Sequence, residues 1–221
     1  MNSPAEAKQF AILRQHMVDS QLRARHIADQ RVLDAMQRVP RHDFTPDPYR
    51  SQAYEDHPLP IGEGQTISQP YIVASMLEAL QLTDADKVLE VGTGSGYVTA
   101  LLAEMTARVI SVERHGTLAE QASAILTTLG YANVKIVVGD GSLGYPSEAP
   151  YDAIIVSAAA LELPQPLLSQ LRDGGRMVVP VGTPDAQQLQ LIRMQMGRPE
   201  IVLREPVRFV PLISGERGNS L

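Results

Sequence analysis

The residues of this 221-residue chain best equipped for chemistry are three glycines spaced two apart and the glutamate before them, Glu90-Val91-Gly92-Thr93-Gly94-Ser95-Gly96. G-x-G-x-G is one residue short of the G-x-G-x-x-G turn that seats a pyrophosphate on a helix N-terminus. Without Cβ atoms, Gly92, Gly94 and Gly96 still let a ligand lie against bare backbone, and Glu90 puts a carboxylate beside it. A pocket of that kind suits a nucleoside that carries hydroxyls or an amine and no bulky phosphate. S-adenosylmethionine is such a ligand.

Two further acidic residues fall where such a ligand needs them. Glu113 ends the apolar run Val109 to Val112, 21 positions beyond Gly92. About 20 positions past the glycine turn is where a ribose diol is gripped. A third apolar run, Val134 to Val138, ends in Gly139-Asp140-Gly141, which sets Asp140 beside an adenine. All three acidic groups then lie at strand carboxyl ends, where open α/β sheets bind ligands.

Alternating strands and helices must position them. Val88, Leu89 and Val91 form a nearly continuous apolar run, as expected of a parallel strand buried on both faces. The chain opens with helical periodicity from Glu6 to Arg25 and a second helix capped by Asp29 and ended by Pro40. A loop to Pro60 follows, and then Gly62-Glu63-Gly64-Gln65-Thr66-Ile67-Ser68-Gln69 before a helix starting at Pro70, with Ser68 or Gln69 as its cap. Strands are expected at 108–113, 134–138, 151–157, 176–181, 189–194 and 201–212, a helix from Leu118 to Leu129, a short one from Pro164 to Leu171, and a turn at Gly174-Gly175. The fold expected is α/β: a doubly wound, Rossmann-like, seven-stranded sheet, mostly parallel, with an antiparallel strand near the C-terminus and helices at the N-terminus. A single domain is expected over 1–221, with helices and a substrate and cofactor loop in 1–82 and the α/β core in 83–221.

Composition narrows the classes. A net charge of -6 argues against non-specific nucleic-acid binding. The count of 0 cysteines excludes disulfides, thiolate metal sites and cysteine nucleophiles. The five histidines show no metal spacing, so no metal is expected. No long apolar run or signal-type segment appears, so a cytoplasmic protein away from membranes is expected, as a monomer. Ser95 lacks the G-x-S-x-G elbow, and no phosphate loop is present, which removes support for hydrolase and triphosphatase readings.

Several stretches together resemble the protein-L-isoaspartate O-methyltransferase family: Val39-Pro40-Arg41-His42-Asp43-Phe44, Gly64-Gln65-Thr66-Ile67-Ser68-Gln69-Pro70, Glu90 to Tyr97, Gly139-Asp140-Gly141 and Val207-Arg208-Phe209-Val210-Pro211-Leu212. The resemblance spans roughly Met17 to Leu212. It implies methyl transfer from S-adenosylmethionine, leaving S-adenosylhomocysteine, to the free α-carboxylate of isoaspartyl residues in damaged proteins and peptides. The ester then collapses to a succinimide, whose hydrolysis partly restores aspartate. Under the resemblance Ser68 is the active-site serine, and Gln65, Thr66, Ile67 and Val73 face the cofactor. Glu90 with Gly92, Thr93, Gly94 and Gly96 holds the methionine end, Glu113 the ribose, and Asp140 with Gly141 the adenine. Ile61, Ser68, Val207, Phe209 and Val210 hold the substrate. The chain departs from the family at Ile213, where a threonine is usual, and at His26, where a glycine is usual.

Three other readings compete. A methyltransferase of the same fold acting on another carboxylate is favoured only by Ile213. A non-catalytic cofactor sensor is opposed by Glu90 and Glu113 beside an intact glycine loop. A nicotinamide dehydrogenase is opposed by the glycine spacing.

Overall fold

A computed structural model describes residues 3–215. Seven strands form the main sheet in the order β5-β4-β3-β6-β7-β8-β9: β3 (Lys87–Val91), β4 (Arg108–Glu113), β5 (Val134–Val138), β6 (Tyr151–Val156), β7 (Leu171–Thr183), β8 (Ala186–Gln195) and β9 (Arg198–Val207). The first five in sequence pair in parallel, and β8 runs antiparallel to both neighbours. Chain order reverses between β3 and β6, which makes their carboxyl ends the expected ligand crevice.

Side-chain alternation sends one set of residues to each face. Val88, Ala153, Ile155 and Val178 enter one core, while Leu89, Val91, Ile154, Val156 and Met177 enter the other. The first face carries α3 (Pro70–Leu80), α4 (Tyr97–Met105) and α5 (Gly116–Thr128), together with buried residues of the N-terminal region. Met17, Leu22, Leu33 and Met36 belong to the same cluster as Val88 and Leu101, so the N-terminal helices share the sheet's core. On the other face lies α6 (Gln165–Leu168), through Leu167 and Leu168.

The N-terminal helix is α1 (Pro4–His16), opened by a Ser3–Glu6 capping box. It continues as a π turn over Met17–Leu22 and a 3-10 turn over Arg23–Arg25. The stretch stops at His26, whose φ of 70° is left-handed. A glycine adopts that conformation without steric cost, so the departure at this position falls in a turn. Asp29 caps α2 (Gln30–Arg38) by accepting from the Arg31 and Val32 amides.

Four local expectations give way. The Gln-Thr-Ile segment is the second strand of a hairpin, β1 (Leu59–Gly62) with β2 (Gln65–Ile67). Its tip turns through three successive positive φ values, 96° at Gly62, 50° at Glu63 and 69° at Gly64. Neither Ser68 nor Gln69 caps α3 through its side chain, because Gln69 holds the cap position without such a bond. Gly174-Gly175 lies within β7, where the register slips against β6 and Gly175 packs so close that a Cβ would sit 2.8 Å from the Arg172 carbonyl. Strand β9 ends at Val207 rather than 212; the chain then leaves the sheet edge and bridges at Pro211 to Ala159.

Among the described residues no helix is long and apolar enough to cross a membrane. One largely buried ion pair joins several elements. Arg176 on β7 pairs with Asp86, before β3, and its guanidinium also donates to the Leu80, Gln81 and Asp152 carbonyls. Removing one partner of a buried pair strands the other charge, at a cost of about 3–5 kcal/mol. Arg176→Ala should therefore lower the unfolding free energy by that amount, read as a lower urea midpoint at unchanged slope; a loss under about 1 kcal/mol would show the pair to be dispensable.

Candidate active site

Beyond the carboxyl ends of β3, β4 and β6 the structure opens a cleft, where open α/β sheets bind their ligands. Its floor is the loop after β3. Gly92, Gly94 and Gly96 have φ of 92°, 53° and 87°, so the turn uses the left-handed region at each glycine. The Gly92 amide donates to the Val112 carbonyl at 2.9 Å and the Ser157 amide to the Val91 carbonyl at 2.8 Å, which extends the sheet pattern into the loop. Gly141 enters for a packing reason: a Cβ there would lie 2.6 Å from Cγ1 of Val91.

Glu113 forms the cleft's acidic wall. One carboxylate oxygen accepts from the Gly94 amide at 2.8 Å, and the other from the His115 amide at 2.9 Å. Each oxygen retains a lone pair, so the group can still accept from a ligand hydroxyl. Across the cleft, β2 delivers Gln65, Thr66 and Ile67, with Ser68 following. The hairpin tip reaches over the glycine loop: Thr117, in the first turn of α5, donates to Glu63 at 2.7 Å. Ile61 approaches the same loop, its Cδ1 lying 3.3 Å from where a Cβ on Gly94 would stand.

The third wall is the tail. The Ala159 amide donates to the Val210 carbonyl and the Leu212 amide to the Ala159 carbonyl, both at 2.7 Å. Farther along, Arg114 donates to the Ile213 and Gly215 carbonyls, and the Gly215 amide donates to Asp140 at 2.7 Å. Asp140 also accepts from the Ser142 amide and hydroxyl. Burial works against its ionisation, but these donors hold its carboxyl below the usual carboxylate range.

The cleft brings together Gln65, Thr66, Ile67, Ser68, Gly92, Thr93, Gly94, Glu113, Gly141 and Val210. Glu90, Val73, Gly96, Asp140, Ile61, Val207 and Phe209 do not line it. Val73 is in the core under α3, and Gly96 packs against Ala122 of α5. Asp140 is engaged by the tail. Phe209 is held at the sheet edge, its main chain exchanging hydrogen bonds with the Gln187 side chain. Tyr97, Arg114, His115 and Ser157 line the cleft without having been singled out. Arg114 and His115 follow Glu113 directly and Ser157 follows β6, so strand ends were the available signal.

Glu90 is the main displacement. It has 0% exposure and faces α4, where Thr99 donates to its Oε2 at 2.5 Å and Ser111 at 2.6 Å. Ser111 in turn shares a 2.5 Å hydrogen bond with Thr93 of the glycine loop. Its other oxygen, Oε1, is buried without a partner. The carboxyl thus reaches the cleft through Ser111 and Thr93.

A model of the family described as Protein-L-isoaspartate(D-aspartate) O-methyltransferase matches residues 13–217. The chain belongs to this family. It is 53% identical to a Koribacter versatilis protein-L-isoaspartate O-methyltransferase over 96% of this chain and 95% of that one. A Methanoculleus marisnigri relative of the same name is 56% identical over 90% and 91%. Among solved structures, a protein-L-isoaspartate O-methyltransferase superposes with a TM-score of 0.81 at 31% identity, covering 93% of this chain and 67% of that one. A Plasmodium falciparum beta-aspartate methyltransferase, in complex with S-adenosyl-L-homocysteine, gives 0.76 at 26% identity over 90% and 98%.

Burial outweighs the two hydroxyl donors at Glu90 and pushes its carboxyl up to about 8 from an ordinary 4.5. A group that holds its proton more tightly folded than unfolded contributes stability below the unfolded value and loses it as pH rises through the folded one. Glu90→Gln carries no such charge. Its stability relative to wild type should therefore improve from pH 5 to pH 8, by on the order of 4 kcal/mol at most. Urea unfolding at both pH values tests this, and a difference that stays constant would contradict it.

Proposed function

We propose that the chain transfers a methyl group from S-adenosylmethionine to the free α-carboxylate of L-isoaspartyl residues in damaged proteins and peptides. The observation that carries the reading is the convergence in one cleft of a left-handed glycine loop, the Glu113 carboxylate and the Ser68 segment. The residues fit the cofactor. Gly92 and Gly94 present backbone without Cβ, Glu113 offers acceptors for a diol, and Val91, Val112 and Gly141 give a mostly apolar wall for a base.

When bound, the cofactor supplies a methyl group made electrophilic by a sulfonium. The chain itself needs no general base, because a carboxylate with a pKa of roughly 4 is already ionised at neutral pH. What it must supply is proximity, alignment and exclusion of water. Ser68, at the start of the α3 segment, orients one carboxylate oxygen through its hydroxyl and leaves the other free to attack. Val210 and the tail main chain, fixed by Ala159, border the acceptor side. Glu90 supports the glycine loop through Ser111 and Thr93. Ile213 lines the cleft with an aliphatic side chain, so the acceptor side is apolar there. The enzyme acts as a cytoplasmic monomer, one domain from its N-terminal helices to its tail.

Labelled S-adenosylmethionine offered to two peptides that differ only in isoaspartate or aspartate at one position tests the reading. Label should enter the isoaspartyl peptide alone and leave again as methanol at neutral pH. Label on neither peptide would move the acceptor to another carboxylate. Ser68→Ala should lower kcat/KM by about 10- to 100-fold, the worth of one hydrogen bond to a charged group. Cofactor affinity should hold, and wild-type kinetics would leave the hydroxyl without a role.

A further inference from the structure

Behind Ser68 lies a cation with no anion paired to it. Arg41 sits in the 3-10 turn Arg41–Phe44 and is 0% exposed. Its Nε donates to the Ala53 carbonyl at 2.7 Å and its Nη2 to the Ser68 carbonyl at 2.8 Å. Nη1 is buried with no hydrogen-bond partner. The guanidinium carbon stands 4.9 Å from the ring centroid of Tyr97, whose hydroxyl is likewise buried and unpartnered. Among the described residues no carboxylate forms an ion pair with Arg41. Asp56, whose charge acts on it, is bridged at 2.6 Å to Arg25.

Burying an ion without a counter-ion costs several kcal/mol even after relaxation. Two carbonyls and an aromatic face offset part of that cost and leave the charge uncompensated. Burial lowers the guanidinium pKa only to about 10, so it remains charged at neutral pH. A strongly desolvated charge beside a cleft marks a functional position. Of the two carboxylates the reaction brings to this cleft, the cofactor's own keeps its charge throughout, and the one beside Ser68, whose carbonyl Arg41 holds, is the acceptor.

We propose that Arg41 is the positioning residue for the acceptor: it fixes Ser68 through the carbonyl and supplies the positive potential that selects a carboxylate over a neutral side chain there. The inference rests on the methyl-transfer reading above. With no exposed surface, Arg41 acts through Ser68 and through its field, without touching substrate. Through Tyr97, the first residue of α4 after the glycine loop, the same guanidinium braces the cofactor side. Methyl transfer forms the O–CH3 bond as the S–CH3 bond breaks, the electron pair passing to sulfur, so the carboxylate's charge disappears. A fixed cation therefore favours the charged substrate and releases the neutral ester, and its effect belongs in KM more than in kcat.

The test compares binding of an isoaspartyl peptide and its isoasparaginyl amide, at saturating S-adenosylhomocysteine, by competition. Wild type should prefer the acid by about tenfold or more. In Arg41→Met the preference should collapse to within about threefold, with KM raised and kcat little changed, while Arg41→Lys keeps most of it. An undiminished preference in Arg41→Met would overturn the proposal. Should Arg41→Met fail to bind S-adenosylhomocysteine, Arg41→Gln, which keeps a donor for the Ser68 carbonyl without the charge, decides: an undiminished preference overturns the proposal and a collapsed one supports it. Wild type that binds neither peptide would instead defeat the methyl-transfer reading, and this inference with it.

Discussion

The hydrogen bond from the Gly94 amide to the Glu113 carboxylate is the contact on which the site depends. It joins the loop after β3 to the end of β4, two neighbouring parallel strands whose own ladder ends at Val91 and Val112. Beyond that point the sheet pattern reaches only one residue further on each side, through the Gly92 and Ser157 amides. The left-handed glycines let the backbone turn, and the carboxylate decides where it stops. A side chain at Gly94 would face both an unfavourable φ and contact with Ile61 from the hairpin. The hairpin, the glycine loop and the first turn of α5 are therefore one packed unit, with the cleft as the space between them.

Polar groups beneath the cleft are handled in two ways. Glu90 is surrounded by hydroxyls and tends toward its neutral form, so the Thr99–Glu90–Ser111–Thr93 chain supports the loop without placing a bare charge under it. Arg41 keeps its charge and finds only carbonyls and a ring. Under the cofactor side the buried group discards its charge, and under the acceptor side it retains it. That asymmetry suits a site that brings a cation and an anion together and lets both charges cancel.

Much of this was legible in the sequence, for physical reasons. Parallel strands buried on both faces leave continuous apolar runs, so β3, β4 and β6 could be located closely, as could the half-buried edge strand β5 from its valines and isoleucine, with Glu113 and Asp140 after β4 and β5. What remained hidden depended on contacts across the fold. The β1–β2 hairpin is only a few residues per strand and turns through Gly62, Glu63 and Gly64, one of them not a glycine. Gly174-Gly175 reads as a turn, yet the bulge against β6 absorbs it. The tail looks like a strand by composition, but Pro211 has no amide to donate and the segment crosses to Ala159. Glu90 shares its strand face with Val88, a period-2 relation pointing away from the ligand side, and the isolated Ser111 and Thr99 in apolar stretches were the available hint to its partners.

The measurement that bears most directly on this account is calorimetric titration of S-adenosylhomocysteine into wild type and Glu113→Gln. The substitution keeps the shape and weakens the acceptor that anchors the Gly94 amide and faces the cleft. The account predicts one site per chain in wild type and at least about a tenfold weaker affinity in the variant, the equivalent of roughly 1.4 kcal/mol, with the fold intact. Equal affinities would contradict it, because the glycine loop would then take its ligand-ready shape without the carboxylate on which everything else here was built.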